Sequence, residues 1–383
     1  MENKIRKPDW NPRAGEVLND QLSAYDKMRK NCPVAFSEFM QWSVFSHKDV
    51  LRIILDHDTF SNAVSQHLSV PAGMDPPEHT IYRRIINKYF EPEKMAAFEP
   101  MCREIVTELL QFALNQKELE MMNDFALPFA VRVQCAFLGW PKNLHETLAD
   151  WTRRNYEATL AQDRKAMSEI AREFEAIVDD MIDVRIENNE IQDVTSSLMN
   201  EEVMGRKLSN EEVASILRTW TVGEIGSIAS SIGILIHYLA EHDDLQQMLR
   251  SDPALLPKAI DEILRIHGPL VASRRITKCP VEIGGKKLEA GERISLNWVS
   301  ANRDEEAFED PFTFQLDRDQ SKNLLYGAGI HVCPGAPLAR LEMRVVLEEL
   351  LKKTSQIKLP DNKIPVKARY PASGYSLLPV IIQ

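Results

Sequence analysis

The sequence predicts a mainly α-helical protein with a minor β-sheet, organised as a single large domain across residues 1–383. Three observations carry the prediction. Glycine is sparse, 15 of 383 residues or about 4%, against roughly 7% in average proteins, and all-strand folds need glycine for their many tight turns. Several long segments carry apolar residues at helical spacing. No Gly/Ser linker, internal repeat or low-complexity tract divides the chain.

Taken in order, Glu93–Gln116 has helical periodicity and ends near Asn115. Ala166–Glu190 puts Met167, Ile170, Phe174, Ile177, Met181 and Val184 on one face. Asn210–Glu241 is longer, and from Trp220 to Leu239 it is almost free of charge except for Glu224, which predicts a helix buried on most of its circumference. Leu256–His267 is a shorter helix stopped by Gly268-Pro269. Pro337–Thr354 is amphipathic. Strand signals gather in the C-terminal third: a hairpin Val281–Ile283 and Lys286–Leu288 around Gly284-Gly285, a strand Arg293–Trp298, and a β-like tail Gly374–Ile382.

Hydrophobic residues make up 44% and charged residues 27%, a balance that excludes disorder as the main state. The net charge of −11 argues against a nucleic-acid partner. Apolar runs such as Ile232–Ile236 fall short of the ~20 residues of a membrane span, and the N-terminus lacks a signal-peptide core. The expectation is a cytoplasmic protein with no membrane contact.

The five cysteines, Cys32, Cys102, Cys135, Cys279 and Cys333, are odd in number and widely spaced, which argues against a disulfide scaffold or a structural zinc site. Four read as small apolar fillers. Cys333 differs: it lies in Tyr326-Gly327-Ala328-Gly329-Ile330-His331-Val332-Cys333-Pro334-Gly335, ahead of an amphipathic helix. Glycines let the backbone wrap one sulfur closely, and a helix N-terminus favours the thiolate. Such a sulfur is a nucleophile or a soft metal ligand.

This ten-residue stretch resembles the haem-ligand loop of the cytochrome P-450 family, Phe-Gly-x-Gly-x-His-x-Cys-x-Gly, with Tyr326 in place of Phe. Glu262-Ile263-Leu264-Arg265 resembles the family's Glu-x-x-Arg pair, a structural network under the haem loop. Its third member is an Arg or His near Thr313 in the family; Arg318 is the substitute here. Asp75-Pro76-Pro77-Glu78-His79 to Arg83 resembles the stretch whose His and Arg bind haem propionates. Arg275 matches a further propionate ligand, with neighbouring Arg274 as the alternative, and His331 is a fourth candidate. The resemblance runs from about residue 20 to the end, leaving about 1–20 as an N-terminal extension. It implies haem b with an axial thiolate from Cys333, so Cys333 is both the metal ligand and a cofactor contact.

On the oxygen side, Gly223-Glu224-Ile225-Gly226-Ser227 resembles the family's Ala-Gly-x-Asp/Glu-Thr. The alcohol survives as Ser227. The acid does not, because position 226 is glycine, but Glu224 stands two residues earlier. Cleaving an O–O bond needs two protons, so Ser227 and Glu224 are the catalytic candidates; the alternatives are a hydroxyl bonded back to its own helix and a structural carboxylate. The resemblance also implies a pocket lined by Leu68, Val70, Leu270, Val271 and Leu377, largely apolar with a few polar groups. Electrons are expected from an external ferredoxin or flavodoxin with its reductase, docking near Arg340, Arg344, Lys352 and Lys353.

The expected function is therefore O2-dependent hydroxylation or epoxidation of a small organic molecule by a monomeric haem-thiolate monooxygenase. The altered acid motif keeps open coupling, desaturation or peroxide-driven oxidation, and a haem protein that binds a ligand without turnover is the third possibility.

Overall fold

Many of the helices that follow residue 122 pack on one helix, Asn210–Glu241. The structure is a computed structural model that describes residues 6–161 and 163–383. Ser209 starts this helix: its hydroxyl accepts from the Glu212 N–H at 3.2 Å, and the Glu212 carboxylate accepts from the Ser209 N–H at 2.7 Å. Glu212 also pairs with Arg206 at 2.8 Å and accepts from the Tyr82 hydroxyl, which ties in helix Glu78–Asn87. Apolar side chains then point in several directions and are covered by helices Leu127–Leu138, Arg164–Glu187, Leu256–His267 and Ala336–Lys353. The helix is long and apolar enough to cross a membrane on composition; its central place in the core accounts for that composition.

The periodicity gives the bounds Asn210–Glu241 and Leu256–His267 as observed. Elsewhere the ends shift by a few residues. Pro92 opens Pro92–Ala113 at a first-turn position that needs no N–H, and Asp163 caps Arg164–Glu187 by accepting from the Lys165 and Ala166 N–H groups.

The larger sheet has five strands in the order Val34–Ser37, Gln41–Val44, Arg293–Asn297, Ala272–Thr277, Phe60–Ser61. The pairing of Gln41–Val44 with Arg293–Asn297 is parallel and the others are antiparallel. The N-terminal third thus supplies three strands where the sequence reading expects none. Their shortness, two to four residues, leaves too little alternation to see. Strand Arg293–Asn297 stops before Trp298 because Asn297 turns to cap the next helical turn, accepting from the Ser300 N–H.

The expected N-terminal extension is corrected. Asp9 donates its N–H to the Phe36 carbonyl at 2.8 Å, and Trp10 packs edge-on to Phe45 at 5.3 Å and to Tyr25 at 6.3 Å. From Asp9 onward this segment belongs to the fold.

Candidate functional site

The cysteine loop is closed by a hydrogen bond from the Cys333 N–H to the Tyr326 carbonyl, 2.8 Å. Between them Gly327 and Gly329 take φ of +71° and +67°, a region that disfavours side chains. A Cβ at Gly329 would stand 3.0 Å from Leu55 Cδ2, so the loop lies against helix His47–Leu55. The Gly335 and Ala336 N–H groups point at the sulfur. Burial, with Glu224 adding to it, holds the thiol above its ordinary range, while these two N–H groups and Arg83 oppose the rise. Protein surrounds the sulfur closely enough to desolvate it, yet the residue stays accessible.

Tyr326 replaces the family's phenylalanine. The Arg340 guanidinium lies over its ring at 4.3 Å and pairs with Asp261 at 2.9 Å, while the Tyr326 hydroxyl is buried without a partner among the described residues.

Four basic groups converge beside the loop. The His79 and His331 rings are 4.2 Å apart, and the Nε2 of each is buried and unpartnered among the described residues. Burial, then His79 and Arg275, push His331 down to about 3. Arg275 is buried while Arg274, next on the strand, faces out; the two-residue period of Ala272–Thr277 decides between them. Burial lowers Arg275 to about 10, with Asp75 only partly opposing. Arg83 donates to the Ile330 and Val332 carbonyls and to Asn87. Two desolvated guanidiniums without paired carboxylates, beside two imidazoles with free ring nitrogens, fit a ligand that brings its own anionic groups. With one thiol presented on backbone N–H groups, the residues fit a haem and its two propionates.

Glu262 and Arg265, both fully buried, sit under this loop. Arg265 donates to Glu262 at 2.8 and 3.0 Å and to the Asn302 carbonyl at 2.7 Å. Arg318 is the third member, donating to Glu262 at 2.8 Å, with Gln320 at 3.0 Å and the Gln315 N–H at 3.2 Å completing the shell. Burial pushes Glu262 up, but these bonds hold it below the usual carboxylate range.

On helix Asn210–Glu241, the Ser227 hydroxyl donates to the Gly223 carbonyl at 2.6 Å, the self-bonded arrangement, from which it must turn to serve a ligand. Glu224 meets another carboxyl group, Glu342 of helix Ala336–Lys353. Glu342 is one residue that sequence reading missed. Its signal was position: it shares a stripe with Leu338, Val345 and Val346, all buried, where a carboxylate has no ordinary business. Tyr156, on helix His145–Ala161, is the other. A Cβ at Gly226 would stand 1.6 Å from its hydroxyl, so the phenol fills the place where the family's acid would begin.

The expected pocket is corrected in part. Val70 and Val271 have no exposed surface: Val70 joins the helical core and Val271 packs with Tyr25 and Phe45. Leu68 is half-buried, and Leu270 and Leu377 are exposed. Of the expected docking cations, Arg340, Arg344 and Lys353 pair with Asp261, Glu99 and Glu349 of the chain itself; Lys352 is exposed.

A family model described as Cytochrome P450 matches residues 118–379. The putative cytochrome P450 YjiB of Bacillus subtilis is 34% identical over 343 residues, 85% of each chain. Cyclomarin C epoxidase CymV of Salinispora arenicola is 30% identical over 334 residues, 83% of this chain and 84% of the relative. A solved mutant of P450 EryK in complex with erythromycin B has the same shape, with a TM-score of 0.86 at 28% identity over 94% of this chain and 96% of that one. A thiol loop and basic quartet that fit haem, on a fold and sequence shared at this length, make the chain a member of the cytochrome P450 family and a monooxygenase-type oxidoreductase.

Proposed function

Within that family we propose a cytoplasmic, single-domain, monomeric enzyme that uses haem b with Cys333 as axial ligand. It hydroxylates or epoxidises a small, largely apolar molecule with O2 and with electrons from a separate ferredoxin or flavodoxin and its reductase. The observation that carries this reading is the pairing of an accessible, N–H-supported thiol with four basic groups that lack carboxylate partners. His79, Arg83, Arg275 and His331 hold the propionates, and the Glu262–Arg265–Arg318 network keeps the loop in register.

When bound, the haem supplies oxygen activation and one-electron chemistry. The chain contributes the rest. Gly335 and Ala336 N–H groups favour negative charge on Cys333 against the burial that opposes it. Ser227 turns its hydroxyl from the Gly223 carbonyl toward the bound ligand and orients a proton there. Glu224, three residues away on the same helix, supplies that proton. Leu68, Leu270 and Leu377, with polar Ser65, Gln66 and His67, contact the substrate. The relatives named for cyclomarin C and bound to erythromycin B support an organic small-molecule substrate.

The test is the reduced, carbon-monoxide-bound spectrum of purified protein supplied with haem. A strongly red-shifted Soret band is expected, and its survival in Cys333→Ser overturns the ligand assignment. Ser227→Ala should raise the share of electrons lost to peroxide or water; unchanged coupling removes Ser227 from the mechanism. The glycine at 226 favours a second reading, peroxide-driven oxidation, and turnover with peroxide alone would select it. Absence of any product with surrogate redox partners would select a ligand-binding haem protein instead.

A further inference from the structure

Glu224 and Glu342 meet in one place with nothing basic among the described residues to neutralise them. Both Glu342 carboxylate oxygens and Glu224 Oε1 are out of contact with solvent and have no donor among the described residues. The two carboxyl groups come from different helices, Asn210–Glu241 and Ala336–Lys353, and are within hydrogen-bonding contact of each other. The other titratable groups around them do not help. The Cys102 thiol of helix Pro92–Ala113, pushed up to about 12 by burial, is neutral, and the Tyr326 hydroxyl and Cys333 of the cysteine loop complete the set. Two carboxylates in contact without a cation cannot both ionise; one keeps a proton and donates it to the other.

Glu224 also connects this pair to the oxygen side. It is three residues from Ser227, on the same helix face, and the Ser227 Oγ lies 3.3 Å from the Glu224 carbonyl. Glu342 has no solvent exposure, whereas Glu224 is only half-buried. The dyad thus has a closed end and an open end.

We propose that Glu224 and Glu342 form a carboxyl dyad that holds one proton between them and acts as the proton store for the helix face carrying Ser227. This rests on the monooxygenase reading and deepens it. Glu224 releases the proton at its open end, the negative charge left behind spreads over both carboxyl groups, and a proton arriving from water restores the neutral acid. Glu342, which does not reach that face, is a positioning residue that keeps Glu224 protonated at neutral pH.

Infrared spectroscopy tests the store without any substrate, on haem-free or haem-loaded protein. At neutral pH the wild-type spectrum minus that of Glu224→Gln/Glu342→Gln should contain one protonated-carboxyl carbonyl band that moves down in D2O. No such band overturns the proposal. The amide variants keep shape and hydrogen bonding, so folding is preserved, and circular dichroism checks it. In haem-loaded protein with a surrogate reductase, Glu224→Gln should increase hydrogen peroxide formed per NADPH several-fold, and Glu342→Gln should move the pH profile of that ratio to lower pH. An infrared band with both ratios unchanged overturns the role as a store. If the wild type lacks the red-shifted carbon-monoxide band, the family-level ligand assignment fails while the infrared result stands apart from it.

Discussion

Replacing Glu262 by glutamine removes one negative charge and changes almost no volume. In the wild type that charge accepts four side-chain hydrogen bonds, two from Arg265, one from Arg318 and one from Gln320, plus the Gln315 N–H. Both guanidiniums are buried, Arg265 completely. Breaking a buried ion pair by removing one partner costs about 3–5 kcal/mol. Each arginine keeps other acceptors, Asn302 for Arg265 and the Glu309, Asp310 and Thr313 carbonyls for Arg318, and Arg265 also lies over Phe308 at 4.9 Å. The expected loss is therefore at the lower end, about 3 kcal/mol, a large share of a typical 5–15 kcal/mol. Urea unfolding followed by circular dichroism measures it, and hydrogen exchange should show faster opening of residues 313–325. The pH dependence has a definite sign. Glu262 is held below its ordinary value, so its contribution is present above the unfolded carboxylate pKa of ~4.3 and disappears as pH falls through the folded value. The gap between variant and wild type should narrow in acid. A difference under about 0.5 kcal/mol at pH 7, within the range of an ordinary surface change, would refute the reasoning.

Arg275→Gln should make the haem-free protein more resistant to urea, because it removes a desolvated cation, while weakening haem retention by about tenfold or more, the loss of one charged hydrogen bond; a parallel fall in both would sink the idea. Glu212→Gln should cost about 1 kcal/mol at pH 7, since Arg206 is half-exposed and screened. With Glu212 held at about 2, chiefly by Arg206, that cost should vanish between pH ~4.3 and ~2. Gly226→Ala should cost about 1–3 kcal/mol by overpacking against Tyr156, and much of the penalty should disappear in a Tyr156→Leu background; an equal penalty in both backgrounds would deny the contact.

Some of this was legible in residues alone and some was not. The long helix could be read because its stretch from Trp220 to Leu239 is apolar on most sides, with Glu224 its one Asp, Glu, Lys or Arg. The hairpin at Val281–Ile283 could be read because Gly284 and Gly285 occupy positive φ, 53° and 75°. Cys333, His79 and Arg83 announced themselves through motif spacing, and the choice of Arg275 over Arg274 needed only a known strand phase. Val70 and Val271 were misjudged because position along a chain does not say which way a side chain points once neighbouring segments pack on it. Trp10 has no local pattern at all; its place depends on Tyr25 and Phe45, residues far along the chain. Tyr156 and Glu342 were invisible for the same reason, each acquiring meaning only through a partner on another helix.

The phenol of Tyr156 resting on Gly226 makes the identities at these two positions conditional on one another. An aspartate or glutamate enters at 226 only if the tyrosine at 156 moves its ring aside, because its first side-chain carbon would otherwise overlap the hydroxyl. The order of historical substitution is thereby constrained: the aromatic must shrink or rotate away before an acid can return. Relatives that carry an acid at the equivalent helix position should carry a shorter side chain opposite it, and an alignment of such relatives would record that dependence as covariation between two helices.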